Sequence, residues 1–152
     1  MVTAGSRPPL PLTGERTVPG VGRENYWFRR HEVVYRWLID LLDGRLRQAV
    51  VVDAGCGEGY GAEMLSRAGA QCLAVDLDFP TVSHVQGAHA TRERSGNTGQ
   101  VGRLRPLVAN LDALPLPDAS VDVIVTFQVI EHLWDVPRFL NECFRVLRPQ
   151  GS

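Results

Sequence analysis

Val50-Val51-Val52-Asp53-Ala54-Gly55-Cys56-Gly57-Glu58-Gly59-Tyr60-Gly61 is a run of apolar, β-branched residues that breaks into glycines. With Ala49 ahead of it, Ala49–Val52 reads as a short strand buried on both faces. Glycines at 55, 57 and 59 permit a tight turn and let a ligand approach the backbone without meeting a Cβ. A helical stretch from Ala62 to Ala68, stopped by Gly69, comes next, so the turn leads into a helix start with free N–H groups. Strand, glycine turn and helix in that order open a doubly wound α/β unit.

Outward from this stretch the alternation continues. Cys72–Val75 is a second buried strand, closed by Asp76, which lies 21 residues past Gly55. Doubly wound nucleotide binders place a carboxylate on ribose hydroxyls at that point. Thr81–Ala90 reads as a weaker helix, Thr91–Arg103 as a polar loop, Leu107–Ala109 as a third strand and Leu114–Asp118 as a turn-rich link. Val121–Phe127 is a fourth strand. Val136–Leu147 is a helix with Asp135 as N-cap and Phe139, Leu140, Cys143 and Leu147 on one face, ended by Pro149 and Gly151. Upstream, Phe28, His31, Val34, Tyr35, Leu38, Ile39 and Leu42 recur at helical steps before Gly44. Residues 1–22, rich in Pro, Gly, Ser and Thr, read as a mobile arm, with one domain over 23–152. Strands alternating with helices predict an α/β doubly wound, Rossmann-like fold with a parallel sheet, right-handed crossovers and the first strand central.

Composition bounds the function. At 152 residues, 44% hydrophobic and 22% charged, the chain is an ordinary globule with room for a real core. A net charge of −1 gives no basic footprint for nucleic acid. Every basic residue is Arg, as a GC-rich genome would produce. Cys56, Cys72 and Cys143 form no CxxC pair, which argues against a disulfide framework and for a reducing cytoplasm. Pro8, Pro9 and Pro11 interrupt the place of a signal peptide, and no run reaches the length of a membrane span.

Taken together, Asp53–Gly59, Ala74-Val75-Asp76, Asn110–Asp122 with its Leu-Pro-Leu-Pro-Asp link, Glu131-His132-Leu133 and Arg145–Pro149 resemble class I S-adenosylmethionine-dependent methyltransferases of the small-molecule type. The resemblance runs from about Ala49 to Gly151. Gly14–Arg36 resembles an actinobacterial subgroup thought to act in polymethylated polysaccharide synthesis, and Tyr26–Arg30 resembles the aromatic-plus-arginine helix of some members.

The resemblance implies S-adenosyl-L-methionine as cofactor and a small-molecule or saccharide methyl acceptor. Gly55, Gly57 and Gly59 would bend around the cofactor's amino-acid part. Asp53 would orient its ammonium through water, and Asp76 would hold both ribose hydroxyls. Asn110, where the family usually has Asp, would accept from the adenine amino group, and the N–H of Leu111 would meet an adenine ring nitrogen. Leu116 and Val121 are expected in the core. His132 is the candidate base for a hydroxyl acceptor, set against a purely structural role bonding backbone. Gln128 stands where some O-methyltransferases carry the first Glu of a metal-binding Glu-x-x-Glu-His. A neutral amide is a poor ligand for a hard cation, so no metal is expected and Gln128 is placed near the cofactor's methionine. Tyr26, Trp27 and Trp37 are weighed between core and acceptor pocket, Arg29 and Arg30 are read as solvated, and Cys56 as a space-filler.

Two rival readings remain open on sequence alone. Gly57-x-Gly59-x-x-Ala62 formally satisfies the dinucleotide fingerprint of a nicotinamide-dependent oxidoreductase. The chain also stops where a fifth strand is expected. That predicts a C-terminally truncated domain, a non-catalytic cofactor-binding fragment at the limit, with self-association through the open edge of Val121–Phe127.

Overall fold

The computed structural model describes residues 25–42, 44–94 and 102–152. The expected arm, residues 1–22, lies outside them. Helix α1 (Asn25–Leu42) leads into strand β1 (Val50–Ala54), α2 (Tyr60–Arg67), β2 (Gln71–Asp76), α3 (Phe79–Arg94), β3 (Arg103–Val108), β4 (Val123–Val125), a 3-10 turn at Ile130–His132 and α4 (Val136–Val146).

The four strands form one parallel sheet in the order β3-β2-β1-β4, so β1 is interior as expected. Parallel neighbours need long crossovers, and α2 and α3 supply two of them. Successive β1 side chains point to opposite faces, and each face has its own core. Val51 packs in a cluster with Tyr35 and Leu42 of α1, Ala62 and Leu65 of α2 and Val85 of α3. Val52 and Ala54 pack with Leu111, Leu114 and, from α4, Phe139 and Val146. Helices on both faces explain why β1 reads as an unbroken apolar run rather than an alternation.

The structure corrects four details of the sequence reading. Helix α3 starts at Phe79 and continues to Arg94, so the expected loop Thr91–Arg103 is cut from both ends. Asp78 caps this helix, its carboxylate accepting from the Thr81 N–H at 3.1 Å, and Pro80 sits in the first turn, where its missing N–H costs nothing. Strand β3 begins at Arg103, not Leu107. It is an edge strand in which Arg103 and Arg105 face solvent and Leu104 is buried, and an edge tolerates Pro106.

Strand β4 is shorter than Val121–Phe127. Val121 instead makes an isolated bridge with Leu147. Its outer edge, expected to lie open, takes two backbone bonds from the last residue. The Ile124 N–H donates to the Ser152 carbonyl at 2.8 Å, and the Ser152 N–H donates to the Asp122 carbonyl at 3.0 Å. Finally, Leu140 is 54% exposed, because the buried stripe of α4 runs through Phe139 and Val146 with Cys143 half-buried. The expected cap holds: Asp135 accepts from the Arg138 N–H at 3.0 Å. No helix among the described residues is long and apolar enough to cross a membrane.

Phe139 is the largest fully buried side chain among the described residues and joins α4 to the sheet. Phe139→Ala is expected to cost about 3–5 kcal/mol of folding stability, read as a lower urea midpoint. An unchanged midpoint would show that α4 contributes no core.

Candidate functional site

All four strands point the same way, so their carboxyl ends meet along one edge of the sheet, where ligands of open α/β sheets bind. A cleft of about 350 Å³ opens there, lined by Gly55, Gly57, Asp76, Asn110, Leu111 and Gln128 among others. Its size suits a small ligand. The backbone turns sharply at its floor. Gly55, Gly57 and Gly59 have φ of +78°, +48° and +75°, a region that favours glycine. The three then part company. A Cβ on Gly57 would meet nothing within 4 Å, so its face is open. One on Gly55 would lie 2.4 Å from Val129, and one on Gly59 would lie 2.7 Å from Val85 of α3. Gly59 is buried and serves packing, and it does not line the cleft.

Asp76 holds this turn. Its Oδ2 accepts from the Gly57 N–H at 3.1 Å and its Oδ1 from the Asp78 N–H at 3.0 Å. Each oxygen keeps a second lone pair for a ligand.

Asp53, at the end of β1, is 1% exposed and lies beneath the cleft rather than on its wall. Its Oδ1 accepts from the Tyr35 hydroxyl at 2.8 Å, while its Oδ2 is buried with no partner among the described residues. Burial pushes the carboxyl up to about 7; the Tyr35 hydroxyl and the Ala62 N–H pull it down, and the Asp76 charge pushes it up. A buried carboxylate with an empty acceptor is costly unless a donor or cation meets it.

On the other side of the cleft, Asn110 Oδ1 accepts from the Asp112 N–H at 3.0 Å and retains one lone pair. No acceptor faces the Leu111 N–H among the described residues. This segment is fixed from behind by Arg145, which donates to the carbonyls of Leu116 at 2.9 Å and Leu114 at 3.0 Å and to both oxygens of Glu142. A proline-rich link is short of N–H donors, and one guanidinium engages the carbonyls it leaves over. Gln128 has φ +58° and, with His132, lines the cleft from the segment after β4. Both are exposed.

Sequence reasoning thus placed seven residues on one cleft wall: Gly55, Gly57, Asp76, Asn110, Leu111, Gln128 and His132. It missed Leu77, Asp78, Thr81, Val129 and Leu133, which also line it. Asp78 was legible as a helix cap and the rest follow from adjacency. It also missed Glu58, whose carboxylate meets His84 of α3 at 3.3 Å and ties the turn to that helix. Val121 is buried and Leu116 packs against the core, as expected. Tyr26 and Trp37 are exposed and off the cleft, and the side chain of Trp27 lies outside the described residues. The Cys56 thiol is pushed far up by burial and by Asp53, which suits a space-filler. No group of three or more His, Cys, Asp or Glu among the described residues is placed to hold a metal ion.

Residues 52–152 match the methyltransferase domain family. The chain belongs to the class I S-adenosylmethionine-dependent methyltransferases. It is 52% identical over 142 residues to a probable S-adenosylmethionine-dependent methyltransferase of Mycolicibacterium smegmatis, covering 93% of this chain and 49% of that protein. It is 30% identical over 147 residues to the malonyl-[acyl-carrier protein] O-methyltransferase of Pseudescherichia vulneris, covering 94% and 54%. Among solved structures, the YcgJ protein of Bacillus subtilis superposes with a TM-score of 0.67 at 26% identity, over 80% of this chain and 48% of that one. The chain therefore spans about half the length of the curated relatives it matches.

S-adenosylmethionine is the cofactor of this methyltransferase family, and the residues present suit it. The open backbone at Gly57 offers a cradle that a Cβ would fill, and the unpartnered Asp53 Oδ2 offers an acceptor for a cation. The alternative dinucleotide fingerprint is not assembled, since Gly59 packs against Val85 instead of facing the cleft.

The weakened acidity of Asp53 has a stability signature. Between about pH 4 and 7 the folded chain holds a proton there that the unfolded chain has lost. The group's contribution is therefore full below the unfolded value, declines as pH rises through about 7, and is flat above. Melting temperatures of the ligand-free chain are expected to fall from pH 5 to pH 8, and Asp53→Asn is expected to flatten that slope. An identical slope in the variant would show that Asp53 titrates normally.

Proposed function

We propose that this chain forms the cofactor-binding part of a methyltransferase acting on a hydroxyl of a small molecule or saccharide. The observation that carries the reading is the pair of acids at consecutive strand ends. Asp76 holds the glycine turn by its amide and keeps free lone pairs, and Asp53 sits below with an unfilled oxygen. In this reading Gly55 and Gly57 lie against the amino-acid part of S-adenosylmethionine, and Asp53 receives its ammonium through water. Gly59 shapes the turn from behind. Asp76 accepts from both ribose hydroxyls, Asn110 accepts from the adenine amino group, Leu111 donates its N–H to the ring, and Gln128 stands near the methionine.

When bound, the cofactor supplies an electrophilic methyl group on a sulfonium. The protein's share is alignment of the acceptor oxygen with that methyl and sulfur, and such positioning supplies much of the rate in a direct displacement. The hydroxyl must also lose its proton. His132 stands exposed on the cleft wall, and imidazole is suited to that transfer in the physiological range. Oxygen as the methylated atom is supported by the O-methyltransferase relative. The saccharide reading is supported by the resemblance of Gly14–Arg36, of which residues 14–24 lie outside the described residues. The soluble composition supports a cytoplasmic location.

Asp76→Ala removes the anchor of the Gly57 N–H and the acceptor for two hydroxyls. Bonds to a charged acceptor contribute about 1.5–3 kcal/mol, so S-adenosylhomocysteine affinity is expected to fall at least about tenfold by calorimetry. Equal affinity in the variant, or stabilisation of the parent by NAD in preference to S-adenosylhomocysteine, would overturn the reading.

A further inference from the structure

We infer that Tyr35 is a positioning residue for the cofactor's amino-acid end, setting the Asp53 carboxylate so that Oδ2 faces the ammonium. This rests on the role given to Asp53 above and extends it to a helix outside the matched family domain, which begins at residue 52.

Tyr35 lies on α1, 6% exposed, and its hydroxyl is the only side-chain partner of Asp53 among the described residues. With the Ala62 N–H acting on the same carboxyl from α2, this side-chain bond to Oδ1 helps orient the carboxylate, and Oδ2 has no partner among the described residues. The ring is buried between two other aromatic rings. Phe127, just beyond β4, meets it edge-on with centroids 5.0 Å apart, and Tyr60, at the start of α2, meets it at 6.1 Å. The ring also lies directly over Gly61, where an added Cβ would fall 2.1 Å from its Cζ. Any larger residue at 61 would push the ring off Asp53. Tyr60 in turn is bonded to His31 of α1, Nδ1 to hydroxyl oxygen, at 2.7 Å. Two polar contacts therefore fasten α1 to the carboxyl end of β1 and to the helix leaving the glycine turn.

The arrangement acts on charge as well as direction. The Tyr35 bond favours the ionised form of Asp53, which burial and the Asp76 charge oppose. The titratable groups set against Asp53 are Tyr35 from α1, Cys56 in the turn, and Cys72 and Asp76 from β2. Burial pushes Tyr35, Cys56 and Cys72 up, so all three stay protonated near neutrality. Without its hydroxyl donor, Asp53 keeps its proton to higher pH and meets a cation less well.

The test compares S-adenosylhomocysteine with 5′-methylthioadenosine, which shares the adenosine and lacks the amino-acid part. In calorimetry on this chain, Tyr35→Phe is expected to weaken S-adenosylhomocysteine about tenfold and leave 5′-methylthioadenosine unchanged. The loss should be larger near pH 6 than near pH 8. Gly61→Ala, which displaces the same ring without touching its hydroxyl, is expected to reproduce the selective loss. Retained 5′-methylthioadenosine binding shows that each variant is folded. Equal loss of both ligands, or no loss of either, would overturn the inference. Asp53→Asn separates the two levels. If it discriminates between the ligands and Tyr35→Phe does not, only the role of Tyr35 falls; if neither discriminates, the role of Asp53 falls with it.

Discussion

The bond from the Gly57 N–H to Asp76 joins two points nineteen residues apart in sequence, and the cleft depends on it. A turn of three glycines has many conformations to lose, and glycine loses more freedom on folding than any other residue. One carboxylate at the end of the neighbouring strand selects a single arrangement. It can do so because β1 and β2 are parallel and in register, Ala54 beside Val75, which brings the end of one strand next to the turn of the other. The same carboxylate accepts from Asp78, whose own side chain caps α3. Turn, strand end and helix start are thus set by one short chain of charge-assisted bonds.

The two acids of the site sit in opposite states. Asp76 is partly exposed and already receives two backbone donors. Asp53 is buried, receives one side-chain donor, and keeps an oxygen with none. A core built for stability alone would place an apolar residue there. A buried acid with an unpartnered oxygen is the kind of local inconsistency that marks a candidate site.

Much of this was legible in sequence because it depends on order along the chain. Strand, glycine turn and carboxylate follow at fixed spacing, so Gly55, Gly57 and Asp76 could be named before any geometry was known. What was not legible depends on approach between distant segments. Nothing local distinguishes Gly57, which faces open space, from Gly59, which faces Val85, because the difference lies in where α3 passes. Edge and interior strands also read differently. The β3 sequence Arg-Leu-Arg-Pro-Leu-Val has charges and a proline that an interior strand would exclude, and only its last two residues read as strand. Leu140 was misplaced by one helical step, which rotates a side chain from core to solvent. Tyr35 was read as one of the residues recurring at helical steps in α1, yet its hydroxyl could not be paired with Asp53, eighteen residues on, without the helix in place.

The position of α1 follows from a steric rule more than from attraction. Helices approach closely only where a small residue opens the gap, and Gly61 is that residue on α2. The cost is a glycine in the first turn of a helix, roughly 1 kcal/mol relative to alanine. The gain is that a tyrosine ring from another helix reaches the buried end of β1. Gly61 shares with Gly55 and Gly59 a side chain packed where a Cβ would lie, but unlike them it has no positive φ. Gly55 and Gly57 are glycine because of backbone angle, and Gly57 also because of the open face above it; Gly61 carries no such angle, so its lack of a side chain is explained by Tyr35 alone. A helix with ordinary torsions, interrupted by glycine where alanine would be more stable, records that the site extends beyond the strand-turn-helix unit to the helix that precedes it.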